Sequence, residues 1–307
     1  MISRRNIRVK VMQTLYTQAS SEGTPVPASY QKVLQSHFEL TRSLLLYLTY
    51  FLGQIARFSE KNAHQRASKH LPTAEDLKVN IKIAGNKILW KIWEDESYKK
   101  AVSAIKPGQF LDEELVKKAY QKLCESPEYR QYISEESREN KHEKEILEFM
   151  LENLMLNDDD FINHIEELFS NWSDDGEMIV LLLDGFLKKT SHINFTQMLG
   201  DDKAEFARIL LQTVVEKSEH LESLIVPKLK NWDPERIAQL DMILLKMGVA
   251  EFLYFETIPP KVTINEYIDL AKDYSTAQSG QFVNGILDNI HKELVQEGKM
   301  VKVDFRK

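Results

Sequence analysis

Cysteine is almost absent from this sequence; Cys124 is the only one. A single thiol excludes an internal disulfide and fits a reducing compartment. Cys124 has no partner thiol and no activating motif, and reads as a small packing residue. Glycine (11) and proline (9) are scarce among 307 residues. That scarcity argues against a strand-rich sandwich, whose many turns need both. Long hydrophobic runs are lacking too. The longest strongly apolar, uncharged stretch is SLLLYLTYFLGQIA, Ser43–Ala56, closed by Arg42 and Arg57. It falls short of the ~20 residues that span a bilayer and is expected to be a buried helix. The chain passes from Met1 directly to arginines, without a secretory pattern. A soluble, cytoplasmic protein with no membrane contact is expected.

Catalytic and metal signatures are missing as well. His142-Glu143 opens like H-E-x-x-H, but Ile146 occupies the second ligand position. There is no G-x-G-x-x-G and no G-x-S-x-G. Gly280 and Gly285 flank QFVN without the Lys-Ser/Thr of a phosphate loop. Carboxylate pairs recur on helix faces, where solvated charge is the ordinary reading. No catalysis, cofactor or metal is expected.

What is present is helical. Hydrophobic residues make up 43% of the chain, enough for a real core, and the net charge is −7. The charge is uneven. Residues 1–19 carry Arg4, Arg5, Arg8 and Lys10 and no acid, and the last nine carry Lys299, Lys302, Arg306 and Lys307 against Asp304. Acids gather elsewhere, as in Asp158–Asp160, Asp174-Asp175 and Asp201-Asp202. A basic end on an acidic body is either a solvated helix start with a frayed tail or a local anion site.

Ser3 can cap a first helix to about Gln18, with Ile7, Val11 and Leu15 on one face. Its arginines sit at the end that the helix dipole reserves for acids. Residues 20–30 are a break. From Gln31 to about Thr190 helix follows helix, with boundaries near Leu71-Pro72-Thr73, Lys106-Pro107-Gly108 and Ser126-Pro127. The polar stretch Ser134–Lys144 is expected to be exposed. Another helix begins near Asn171-Trp172-Ser173-Asp174. A final block starts near Asp201, with an amphipathic helix over Phe206–Glu222. Asp233 with Pro234 is expected to open a helix running Glu235–Phe255. Thr263 and Glu266 have the spacing of a capping box. The last helix, around SGQFVNGILDNIH, carries the turn dipeptide Asn284-Gly285 within an apolar pattern. Asn171-Trp172-Ser173-Asp174 and Asn231-Trp232-Asp233-Pro234 form a weak internal echo.

Five segments together resemble the NusB family of bacterial transcription antitermination factors. They are RRNIRVKVMQTLYTQ near the start, WDPERIAQLDMILLKMGVAEFLYF, IPPKVTINE, the Ala271-Lys272 pair within IDLAKDY, and SGQFVNGILD. The resemblance covers about 1–19 and 203–296. Residues 20–202 read as a helical insertion of unassigned role, and 297–307 as a basic tail. The resemblance implies an all-α, NusB-like bundle of two packed sub-bundles, enlarged by the additional helical region. It also implies a non-catalytic function. Members pair with the ribosomal protein called NusE, bind boxA-like single-stranded RNA, and act on the RNA polymerase elongation complex, notably in ribosomal RNA operons.

Several roles follow from the resemblance. Arg4, Arg5, Arg8 and Lys10 suit RNA phosphates. Tyr16 is either a base-stacking residue or a half-buried interface aromatic. Ser279, Gln281 and Phe282 lie at the family's RNA surface, although spacing alone would place Phe282 in a core. Gln278, Phe282, Lys261 and Glu266 fall where partner contact is expected. Asn284 is expected to turn inward and Gly285 to admit a neighbouring helix, with Thr263 as a cap. Gln281 stands where the family often has a basic residue, and Gln278 where it often has an acid. The long helix keeps Asp241-Met242 and Lys246 in place of an Asp-Arg…Arg pattern. Those departures leave open a protein-binding scaffold with vestigial RNA binding. An RNA-modifying enzyme is a third class, which saturable binding of S-adenosylmethionine would revive.

Overall fold

Side-chain caps written into the sequence, Ser3, Asn86, Asp95, Asp112, Ser126 and Asp158, set six of the helix starts. The computed structural model describes residues 2–21, 27–189, 193–229 and 237–303. These residues form helices and turns, with no strand among them. The chain divides into two compact units, one of residues 39–198 and one of 2–38 with 199–307. The second helix, α2 (Pro27–Ala67), contributes its first turns to the latter and the remainder to the former.

In the 39–198 unit, the apolar run of α2 is buried: Leu44, Leu46, Leu48, Leu52, Ile55 and Ala56 have no exposed surface. Around it lie α3 (Lys87–Glu94), α4 (Glu96–Ile105), α5 (Glu113–Glu125), α6 (Pro127–Ser134), α7 (Asn140–Phe149), α8 (Asp159–Leu168) and α9 (Trp172–Lys189). The punctuation follows the chemistry. Lys106 takes a left-handed conformation (φ 53°) between α4 and Pro107. Ser126 caps α6, with Pro127 at its first position, where a missing N–H is harmless. A wide π-helical segment, Met150–Leu156, follows α7.

The polar stretch 134–144 is exposed or part-exposed except at one residue. It contains Glu143, which is wholly buried. Glu143 accepts hydrogen bonds from the Tyr132 hydroxyl (3.1 Å) and the Lys87 backbone N–H (2.7 Å). A buried carboxylate is tolerated when its lone pairs are filled this way. The Tyr132 hydroxyl is correspondingly pushed above its ordinary range by burial and then by Glu143. Among the described residues, no helix is long and apolar enough to cross a membrane.

The other unit holds α1 (Arg4–Ala19), α10 (Asp201–Glu216), α11 (Ser218–Ile225), α12 (Gln239–Tyr254), α13 (Pro260–Tyr274) and α14 (Ser279–Gln296). Ser3 caps α1 by accepting from the Asn6 N–H. The expected helix over Phe206–Glu222 is broken in two at Lys217. α12 is apolar on nearly every side, from Ile243 to Phe252, and forms the centre of its unit. Its expected opening at Asp233-Pro234 lies outside the described residues, as does the second copy of the Asn-Trp echo.

Gly248 of α12 lets side chains of α13 and α14 pack directly on the backbone. A Cβ there would fall 2.8 Å from Leu287 Cδ2 and 3.4 Å from Tyr267 Cδ2. The capping box also needs correction. α13 opens four residues earlier, at Pro260 and not Ile264, because proline is preset for a first helical position. Thr263 is therefore a buried interior residue and not a cap.

Candidate nucleic-acid interface

The basic residues of α1 part into exposed and buried members. α1 packs against α10 and α12, and residues 7–12 are buried without a break, so distance from the start of the helix decides which cation reaches water. Arg4 is exposed, its guanidinium 5.4 Å from the centre of the Phe206 ring. Arg5 is half-buried along α13, where its Nη2 donates to Asp273 Oδ2 at 2.7 Å. Asp269 (3.9 Å) and Glu266 (4.0 Å) complete a ridge of carboxylates around it.

Arg8 corrects the sequence expectation. It is only 2% exposed and makes a two-pronged bond to Glu251, Nε to Oε1 at 2.7 Å and Nη2 to Oε2 at 3.0 Å. Glu251 is wholly buried. It also accepts from the hydroxyls of Tyr267 (2.8 Å) and Thr263 (3.0 Å). Burial opposes the Arg8 charge, but the bond to Glu251 and its attraction outweigh burial and raise the pKa. Tyr267 is pushed far above the ordinary phenol range, by burial first and the Glu251 charge second. Arg8 is thus part of the core and not a phosphate contact.

Lys10 is likewise 1% exposed, and therefore is no surface contact. Tyr16 is 45% exposed, as a stacking residue requires.

The start of α14 divides in the same way. Gln278 and Gln281 are exposed. Ser279 is buried, its hydroxyl donating to Asp241 Oδ2 (2.8 Å) and accepting from the Thr276 N–H (3.2 Å). That knot closes the α13–α14 turn onto α12, so Ser279 is a structural residue here. Phe282 is buried at 8% exposure, which leaves it little surface for RNA or a partner. Gly280 packs against the Lys272 stem, 2.9 Å from the position a Cβ would take. Lys261 is exposed, and Glu266, part-buried, is shared by Arg5 and Arg8 (3.3 Å).

Asn284 and Gly285 also reverse their expected orientation. Both are exposed, and a Cβ on Gly285 would meet nothing within 4 Å. At 100° per residue, positions 284 and 285 fall opposite the stripe of Phe282, Val283, Ile286, Leu287 and Ile290.

The candidate site therefore keeps Arg4, Arg5, Tyr16, Gln278 and Gln281 exposed or part-exposed. It excludes Arg8, Lys10, Ser279 and Phe282 by burial. Residues that sequence reading passed over, Glu251, Asp269 and Asp273 among them, help hold it in place. Glu251, alone in the apolar run GVAEFLYF, was the available signal for a buried ion pair. Glu266, Asp269 and Asp273 recur at helical spacing, but only the fold shows that they face Arg5. Lys302 donates to the carbonyls of Glu251 (2.8 Å) and Phe255 (2.7 Å), capping the C-terminal end of α12. Burial lowers its pKa. Lys302→Met is expected to cost about 1 kcal/mol, read from the urea unfolding midpoint.

The profile of the NusB family matches residues 171–292, from the start of α9 into α14. The match reaches back into the segment read as an insertion, and α1 lies outside it. The chain is similar to Transcription antitermination protein NusB of Salinibacter ruber, 37% identical over 121 residues, 39% of this chain and 76% of that protein. The protein of the same name from Chloroherpeton thalassium is 38% identical over 106 residues, 34% of this chain and 50% of the relative. That of Methylacidiphilum infernorum is 46% identical over 83 residues, 27% and 58% of the two chains. With identity at this level across three quarters of a relative's length, the chain belongs to the NusB family.

Proposed function

We propose that the protein is a transcription antitermination factor that binds boxA-like single-stranded RNA together with the ribosomal protein NusE. It acts in the cytoplasm on the RNA polymerase elongation complex, notably in ribosomal RNA operons, by binding and without catalysis. The observation that carries this reading is the placement of Arg4 and Arg5. They emerge from the first turn of α1, and Arg5 reaches the last turn of α13, which leads to the start of α14, where Gln278 and Gln281 are exposed. Cations there supply phosphate affinity, and Tyr16 supplies a ring for an unstacked base. Gln278, Gln281 and Lys261 remain open to RNA or NusE.

The carboxylates around Arg5 favour a second reading. An arginine already paired with Asp273 gives up that contact before it can serve a phosphate, so RNA binding is weakened and a scaffold role gains ground. Titration of a boxA-like RNA at several salt concentrations, with and without NusE, separates the two. NusE is expected to tighten binding. Arg4→Ala with Arg5→Ala is expected to weaken it about tenfold and to flatten the log–log salt slope by about 1.4, or roughly 0.7 per phosphate contact. Indifference of the unaltered protein to RNA in both settings would hand the function to the scaffold reading.

A further inference from the structure

We propose that the 39–198 unit carries a second contact for single-stranded RNA, on the surface shared by α2 and α3. The proposal stands on that surface alone and does not depend on the RNA reading at α1. Ile88, Leu89 and Ile92 bury one face of α3, which turns its two tryptophans outward or to the flank. Trp90 is 50% exposed, yet its indole is fixed, because Nε1 donates to the Ala84 carbonyl at 3.1 Å. An exposed, oriented indole loses little freedom when a base stacks on it.

Trp93 stands edge-on to Trp90, with ring centres 5.8 Å apart. It approaches α2 closely because residue 53 is glycine; a Cβ there would lie 3.0 Å from the Trp93 Nε1. The Arg57 guanidinium covers Trp93 at 4.1 Å from the ring centre. Guanidinium over indole is a favourable pair, and its outer side still offers charge to a phosphate.

A cavity of about 200 Å³ adjoins Arg57, lined also by Gln54, Phe58, Lys61, Leu111, Val116 and the carboxylate of Glu113, which pairs with Lys61. It is below the roughly 300 Å³ at which drug-sized ligands are housed, and suits a single planar ring. Charge identifies the occupant's class. Arg57, Lys61, Lys87 and Lys91 are exposed across this surface, against Glu60, Glu94 and the Glu113 that pairs with Lys61. That is a local positive excess on a chain of net charge −7. Cations beside oriented rings and a ring-sized cavity form a stacking platform for single-stranded nucleic acid. An acidic protein segment would use the cations but leave the fixed indole without purpose.

The test titrates a short oligouridylate into the full chain and follows tryptophan fluorescence across a salt series. The starting protein carries Arg4→Ala and Arg5→Ala, so that the α1 surface is silent. Quenching that saturates is expected. Trp90→Ala should lower affinity about tenfold, Trp90→Phe should recover most of it, and Arg57→Ala with Lys91→Ala should flatten the salt slope. Circular dichroism controls for folding. The proposal falls if the Arg4/Arg5 changes alone abolish binding, or if Trp90→Ala and Arg57→Ala leave affinity unchanged. It also falls if polyglutamate competes as strongly as the oligouridylate, which would assign the surface to an acidic protein partner.

Discussion

Arg8→Ala is expected to destabilise the unit of residues 2–38 and 199–307 by about 3–5 kcal/mol, the cost of breaking a buried ion pair from one side. Glu251 receives four hydrogen bonds, two from Arg8 and one each from Tyr267 and Thr263. Removing the guanidinium strips two of them and leaves a carboxylate with no exposed surface beside no countercharge of its own. Arg5→Ala, three residues earlier on α1, removes contacts at a part-exposed side chain and should cost under about 1 kcal/mol. Urea unfolding followed by circular dichroism checks both. Changing Arg8 and Glu251 together to methionine should recover much of the single loss, since no charge is then stranded. A small stability loss for Arg8→Ala accompanied by a large loss of RNA affinity would return Arg8 to the binding surface.

The glycines of α12 and α14 should respond in opposite directions. Gly248→Val is expected to cost about 2–3 kcal/mol, the upper part of the range for overpacking. Its Cβ alone would stand 2.8 and 3.0 Å from the two methyls of Leu287, which is itself fully buried, with Tyr267 behind. Gly285→Ala is expected to stabilise by about 0.5–1 kcal/mol, because an exposed helical glycine loses more backbone freedom on folding than alanine and nothing obstructs the new methyl. Differential scanning calorimetry of the two variants tests the contrast. Destabilisation by Gly285→Ala would mean that α14 is packed by another helix at that point after all. Unchanged melting with weakened NusE binding would instead make the Asn284-Gly285 face a partner surface.

The residues of the candidate site were legible in type but not in orientation. Four cations in the first ten residues marked α1 as a place for anions. Whether each meets an anion in solution or inside the protein depends on what packs against α1. Arg8 and Glu251 are far apart in sequence, and no local pattern pairs them. The Asn-Gly dipeptide was a case where periodicity held the answer: both residues lie opposite the apolar stripe of α14, and the turn-forming reputation of the pair drew attention from that. Thr263 misled for a different reason. Its spacing to Glu266 fits a cap, but Pro260 starts the helix first, and the threonine hydroxyl then serves Glu251.

By itself the sequence determined the helical class, the cap at Ser3, the Ser126-Pro127 start of α6, the burial of the α2 apolar run and the family, because each rests on local propensity or on a run of matching residues. Only the tertiary structure decided that Arg8 and Lys10 are interior, that Ser279 ties α14 to Asp241, that Glu143 is buried within a polar stretch, and that Trp90, Trp93 and Arg57 share one surface. Those outcomes depend on pairs brought together from distant positions, where burial decides between a paired charge and a free one, and burial is a property of the packed chain and not of any segment.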